Sequence, residues 1–423
     1  HFTATLAGGW QPVKGWSGVI RSLENRGAIP FVLQAPAPLK ISDGQFSLTD
    51  FVLKLPSGSL HLQSLQKNGN RLQSRGRASG IALTTLTKLS ESMQQGTPDG
   101  ALADTLTGTL TFGADWSLDA DRFIDGSVRV FREGGDVTVR AGNTLAPLTL
   151  GLSKLALRAD IVKNALKLQF EMEGARAGNS CFSGSTRIGG VPGGWSLPAT
   201  SPLQMSGTAN LPTLAWIGPV IGQPGLDLEG RLALAVSASG TLGAPVLAGQ
   251  INGDQLGLRW VEQGVKLRNG VLRAQLQDDR LLLKQLAFEG DQGSLNVQGE
   301  ARFANARPSV QMTLTADRLL AFSSPERLLV VSGESRITLD DKRLQLNGKF
   351  KAERAMIELP AESGPTISDD VVVLGREPGG KSGSAGKALP LQVDVMLDLG
   401  ERFFIKGKGL DAQVGGSLRV RVD

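Results

Sequence analysis

The stretch whose spacing could hold a nucleotide is Gly375–Ser382, GREPGGKS, which satisfies the glycine and Lys-Ser pattern of a phosphate-cradling loop. It also follows a strand-like run, Val371–Leu374. Such a loop works because a helix starts at its Lys-Ser and aims backbone N–H groups at phosphate. Residues 383–390 read GSAGKALP, and two glycines and a proline cannot sustain that helix. The stretch reads as a glycine-rich loop.

Other chemistry fares no better. His1 and His61 are the two imidazoles, and His61 falls on the polar parity of a strand whose other face carries Leu60 and Leu62. No cysteine or second histidine stands at metal-ligand spacing from it. Cys181 has no histidine partner to make it a nucleophile, and a lone cysteine excludes an internal disulfide. The acidic pairs Asp278-Asp279, Asp340-Asp341 and Asp369-Asp370 could do acid–base work. Two of the three fall at expected hairpin turns, where Asp serves local backbone hydrogen bonds. The expectation is a protein that is not an enzyme, with no metal and no cofactor.

The elements that would position any site are strands. Leu166, Leu168, Phe170 and Met172 alternate with Lys167, Gln169, Glu171 and Glu173. Leu232, Leu234 and Val236 repeat the period of two, as do Val310, Met312 and Leu314, and Leu344 and Leu346 with Phe350. Near the end of the chain Leu391, Val393, Val395, Leu397 and Leu399 share one parity, followed by Leu418, Val420 and Val422. This alternation places an aliphatic face opposite a polar one. Turn signals separate the runs at Lys67–Asn70, Lys163-Asn164, Gln277–Arg280 and Asp340–Arg343. The reading is an all-β chain of successive hairpins, one continuous repeat-like segment over 1–423. The Gly/Pro/Ser-rich stretch 360–390 should project as a loop.

An internal repeat supports this. Lys40–Phe46 matches Lys266–Leu272, and Gly58–Gln63 matches Gly293–Gln298, with a hairpin around Asp278-Asp279 inserted in the second copy. Repeats of unequal length suit an open, stackable sheet better than a closed barrel. Short helices are expected at Leu83–Met93, Leu211–Ile217 and Leu319–Leu328, as plugs or end caps.

Composition bounds the function. Forty per cent hydrophobic content suffices for a large buried surface. The net charge of +5 spreads over 45 Lys and Arg interspersed with 40 Asp and Glu. No basic cluster interleaves with aromatics, so nucleic acid is not an expected partner. No run of about 18 apolar residues spans a membrane as a helix. The chain opens inside an alternating strand (Phe2, Ala4, Leu6), so it reads as a piece of a longer protein with any anchor upstream.

The last stretch, Leu389–Asp423, reads LPLQVDVMLDLGERFFIKGKGLDAQVGGSLRVRVD, and Ser368–Gly375 reads SDDVVVLG. The alternating strand, the aromatic-basic bridge FFIKGKG, the Gly-Leu-Asp turn and the GGSLR exit resemble the TamB family. That family, of the translocation and assembly module, belongs to the AsmA-like group of bacterial envelope proteins. The resemblance implies an elongated, curled, taco-like sheet with a continuous hydrophobic groove, placed in the periplasm of a Gram-negative cell. It implies carriage of phospholipid between inner and outer membranes, beside a TamA-like outer-membrane partner of the Omp85 type, and an inner-membrane anchor upstream. An assembly scaffold for outer-membrane β-barrel proteins is the alternative. The alternating residues named above, from Leu166 to Val420, are then the candidates to line the groove.

Overall fold

The computed structural model describes residues 1–27, 29–87, 106–140, 147–191, 194–220, 225–260, 264–302, 309–324, 326–340, 343–359 and 391–422. Among them the chain is all-β. Twenty-five strands belong to one mixed sheet, and two further sheets have three and two strands. Hairpins form where the turn signals stand. Val162 pairs with Ala165 across Lys163 and Asn164, both at positive φ (46° and 67°). That is the primed geometry matching the twist of a tight hairpin. Gln277 pairs with Arg280 across Asp278, at φ 56°. Asp340 accepts the Arg343 backbone N–H on its carboxylate at 3.0 Å.

The chain divides into two compact units, His1–Pro224 with Leu232–Gly249, and Gly225–Arg231 with Gln250–Asp423. In the first unit, antiparallel pairings lead from Phe2–Gln11 to Gln204–Leu211, which then pairs with Leu226–Thr241. One buried cluster, Leu33, Ala37, Leu39 and Leu48, lies near its start. Another gathers Leu110, Val137, Val139, Leu150, Leu152 and Ala177. The small sheet Leu106–Gly108, Val137–Val139 and Leu148–Thr149 supplies part of this second cluster. Leu83 of a helical turn over 83–87 packs on it, as do Trp216 and Val220 at the helix Ile217–Val220.

The second unit runs antiparallel from Val265–Asp278 to Leu344–Glu358. Its last long strand then takes two parallel partners, Leu391–Asp398 along its first half and Phe403–Gly407 along its second. Leu391–Asp398 pairs onward with Ser417–Val422, and Phe403–Gly407 with Leu410–Val414. Parallel neighbours need a crossover connection rather than a tight hairpin. Residues 360–390 themselves lie outside the described residues, and with them the Gly375–Ser382 stretch, Ser368–Gly375 and Asp369-Asp370.

Two expected helices are corrected. Leu319–Leu328 is sheet: Leu319 pairs with Val331, Leu320 with Val330 and Phe322 with Leu329. Bulges after Ala316 and Leu320, with Arg318 at φ 45°, put adjacent leucines in a strand and break the period of two. Leu211 ends a strand opposite Leu232, and the helix starts only at Ile217, after a turn. Of Leu83–Met93, residues 83–87 are helical and the rest lies outside the described residues.

The repeat holds in its second half. Gly58 and Gly293 both sit at positive φ (91° and 74°), and each closes the same turn, Leu55 N–H to Gly58 and Gly290 N–H to Gly293. Its first half does not hold. Asp43-Gly44 turns a hairpin between Ala37–Ser42 and Gln45–Lys54, whereas Asn269-Gly270 is a bulge inside Val265–Asp278. An Asx-Gly pair suits either role, because both need a left-handed residue.

Candidate functional site

Register decides which side chains share a face, since directly opposed residues point the same way. In the second unit the pairings build transverse rows. Met312 opposes Ile337, which opposes Leu346, then Val393, then Val422. The adjacent row runs Leu314, Ser335, Gly348, Val395, Val420. Val310, Leu339 and Leu344 form a third, and the backbone of Leu391 pairs with Leu344. Phe350, Leu397 and Leu418 belong to a fourth. Leu399 stands just beyond its strand and packs with Leu397 on the cluster of Ala352, Ala355 and Phe403.

The first unit repeats the device. Leu166 lies between Ile161 and Thr186, and Leu168 between Ala159 and Gly184. Leu157, Phe170, Phe182, Gly207 and Val236 form the next row. Leu155, Met172, Ser180, Ala209 and Leu234 form the one after it, and Leu232 opposes Leu211. Within each unit, the sequence candidates thus share one face. Sequence reading missed Leu157, Met205, Ile337 and Leu339, which the same rows include. The hairpin turns would have supplied that register.

Ser180, Ala209 and Ser335 in these rows are buried, and Leu155 and Met172 pack on the Leu110 cluster, but most of the aliphatic side chains are not buried as a core is. Leu232, Leu234 and Val236 are half-buried between fully exposed Arg231, Ala233 and Ala235. Leu168 is 39% exposed, Leu418 51% and Val420 43%. Buried residues gather in four separate clusters at Leu33, Leu110, Leu267 and Ala352, with others such as Val330, Ala301 and Leu283 outside them. A sandwich would cover these rows with a second sheet and bury them.

The opposite parity is ionic. Asp394 accepts Arg419 through both guanidinium arms (2.7 and 2.6 Å), with Arg421 at 3.6 Å. The Arg419 hydrogen bond holds the Asp394 carboxyl below its usual range. Asp119 takes Arg71 Nε at 2.9 Å and Gln73 at 2.8 Å, and chiefly the Arg71 bond lowers its pKa to about 2. A depressed carboxylate contributes stability above its unfolded pKa, near 3.9, and loses it as pH falls through about 2. Asp119→Asn should therefore lower the melting temperature slightly at pH 7, the pair being exposed, and the difference should shrink between pH 4 and pH 2. Melts across that range check it; a constant difference contradicts the assignment.

The remaining sequence candidates do not converge. His61 Nε2 lies 3.9 Å from Asp50, and Cys181 is exposed on the polar parity opposite Glu171. Among the described residues, no group of three or more His, Cys, Asp or Glu side chains could hold a metal ion, and no helix is long and apolar enough to cross a membrane.

In comparison with known proteins, residues 284–423 match the family model described as the TamB C-terminal domain. No curated protein and no solved structure matches.

Proposed function

We propose, from the match of residues 284–423 to the TamB C-terminal domain, that the apolar face is a path for phospholipid acyl chains between inner and outer membranes. The family works in the bacterial envelope, in protein assembly or lipid transport. The observation that favours lipid is the set of aliphatic side chains left exposed or half-buried, among them Leu157, Leu168 and Val236 in one unit and Leu346, Val393 and Val395 in the other. Exposing an acyl chain to water costs about 0.8 kcal/mol per CH₂, on the order of 10 kcal/mol for a whole chain. A trough of leucine and valine removes most of that cost, while head groups stay in periplasmic water. An Omp85-type outer-membrane protein receives the lipid. Many equivalent weak contacts let lipid enter and leave without a head-group site.

A second reading has its own observation. Ser417–Val422 pairs with Leu391–Asp398 and, among the described residues, with no strand on its other edge, and Leu418, Val420 and Val422 are exposed. Such an edge could template a nascent outer-membrane strand by β-augmentation. The two readings separate experimentally. The 423-residue chain, purified without detergent, should carry phospholipid detectable by mass spectrometry. A lipid-free chain that still binds unfolded barrel-protein segments would replace the conduit by the scaffold.

A further inference from the structure

Aromatic rings are few on the apolar face, and three of them have a glycine directly across. Trp116 opposes Gly76, Phe182 opposes Gly207, and Phe350 opposes Gly333 in direct register. A Cβ added at Gly76 or Gly207 would meet ring carbons of its partner first, and one at Gly333 would meet the Lys349 carbonyl first and a Phe350 ring carbon at 2.9 Å. Each ring therefore occupies the space over the opposite strand that a side chain would otherwise fill. Out of direct register, Trp16 also reaches over Gly8 and Gly18, where facing backbone lies equally near, and Phe288 over Gly270. The pattern recurs in both units on the parity that carries the aliphatic rows, and once on the other parity, where Phe131 opposes Gly113.

A sheet built only for stability has no reason to keep these positions empty, since a strand-interior glycine weakens the strand unless something must approach its backbone. Here what approaches is the ring, folded down on the sheet. We infer that these glycines are clearance residues: they recess the aromatic side chains and keep the trough shallow enough for an acyl chain. The inference rests on the lipid-path reading. Gly207 shows the logic most cleanly, because the three atoms nearest to its added Cβ all belong to the Phe182 ring. On its other side Phe182 faces Phe170, with ring centroids 6.4 Å apart. A ring pushed off Gly207 is blocked sideways by Phe170 and must rise from the sheet, towards the path beside Leu168.

The test uses the whole 423-residue chain with a photo-crosslinking residue at Leu168, offered NBD-labelled phosphatidylethanolamine in phosphatidylethanolamine–phosphatidylglycerol vesicles. Gly207→Val should cut crosslinked lipid at least threefold while circular dichroism and protease resistance stay at the parent level. Gly207→Ala, the gentler variant, should reduce it in the same direction if the valine protein fails to fold. Phe182→Ala alone should capture at least as much lipid as the parent. The double variant Gly207→Val with Phe182→Ala should recover parental capture. Undiminished capture in both folded glycine variants, or a double variant no better than Gly207→Val, overturns the clearance role. Absence of lipid capture in the parent overturns instead the lipid-path reading on which it rests.

Discussion

Val395→Asp should stop phospholipid delivery, by tenfold or more, in a chain that stays folded. Val395 lies between Gly348 and Val420 in register, in the row that also includes Leu314 and Ser335. An acyl chain crossing that row would have to displace water from a carboxylate, and an unpaired charge in an apolar setting costs several kcal/mol. Tenfold corresponds to about 1.4 kcal/mol, well within that range. The fold should survive because Val395 is only half-buried, so the new carboxylate keeps access to water. Leu346→Arg, one row away opposite Ile337 and Val393, should behave alike. Lipid transfer between labelled vesicles, run beside circular dichroism, checks both. Variants that unfold would mean that this face is an ordinary core; variants that move lipid but lose barrel-protein assembly would favour the scaffold.

The second large effect is on stability. Phe403→Ala should cost about 3–5 kcal/mol, the range for deleting a buried aromatic ring. Phe403 is 7% exposed and packs on Ala352 and Ala355, both fully buried, with Leu397, Leu399 and Val414 around them. The alanines leave room for the ring, so its loss opens a cavity that short neighbours cannot fill. The damage should be local at first. Phe403–Gly407 and Leu410–Val414 reach the rest of the sheet through the Ala355–Phe403 and Ile357–Ile405 pairings. Hydrogen exchange should therefore quicken over 403–414 and stay slow at Met312 and Ile337. Uniform quickening would show that this hairpin is not a separable finger of the sheet.

Much of this was written in alternation and turns. Leu166 to Phe170 and Val393 to Leu397 declare their face by period two, and Lys163-Asn164 and Asp278-Asp279 declare their hairpins. What misled was local disorder of that period. At Leu319-Leu320 two bulges place successive leucines in a strand, and adjacent apolar residues then imitate a helix. The parallel return of Leu391–Asp398 onto Leu344–Glu358 was hidden, because pairing across more than thirty intervening residues leaves no local trace. The same reason hid the glycine–aromatic pairs. Gly207 is an unremarked strand glycine until register sets it opposite Phe182. Exposure was equally silent: half-buried Leu234 and fully buried Leu267 look alike in sequence, and only the covering layer separates them.

The most direct test of a lipid path on this face is photo-crosslinking by position along Leu391–Asp398. A diazirine residue placed in turn at Val393, Val395 and Leu397 should capture phospholipid in the envelope, whereas one at Met396 or Asp398 should not. Met396 is the telling control, an apolar and 43% exposed side chain on the ionic face beside Arg419. Labelling confined to the odd-numbered positions is the expected result. Equal labelling at Met396 and Val395 would contradict a lipid path on the aliphatic face.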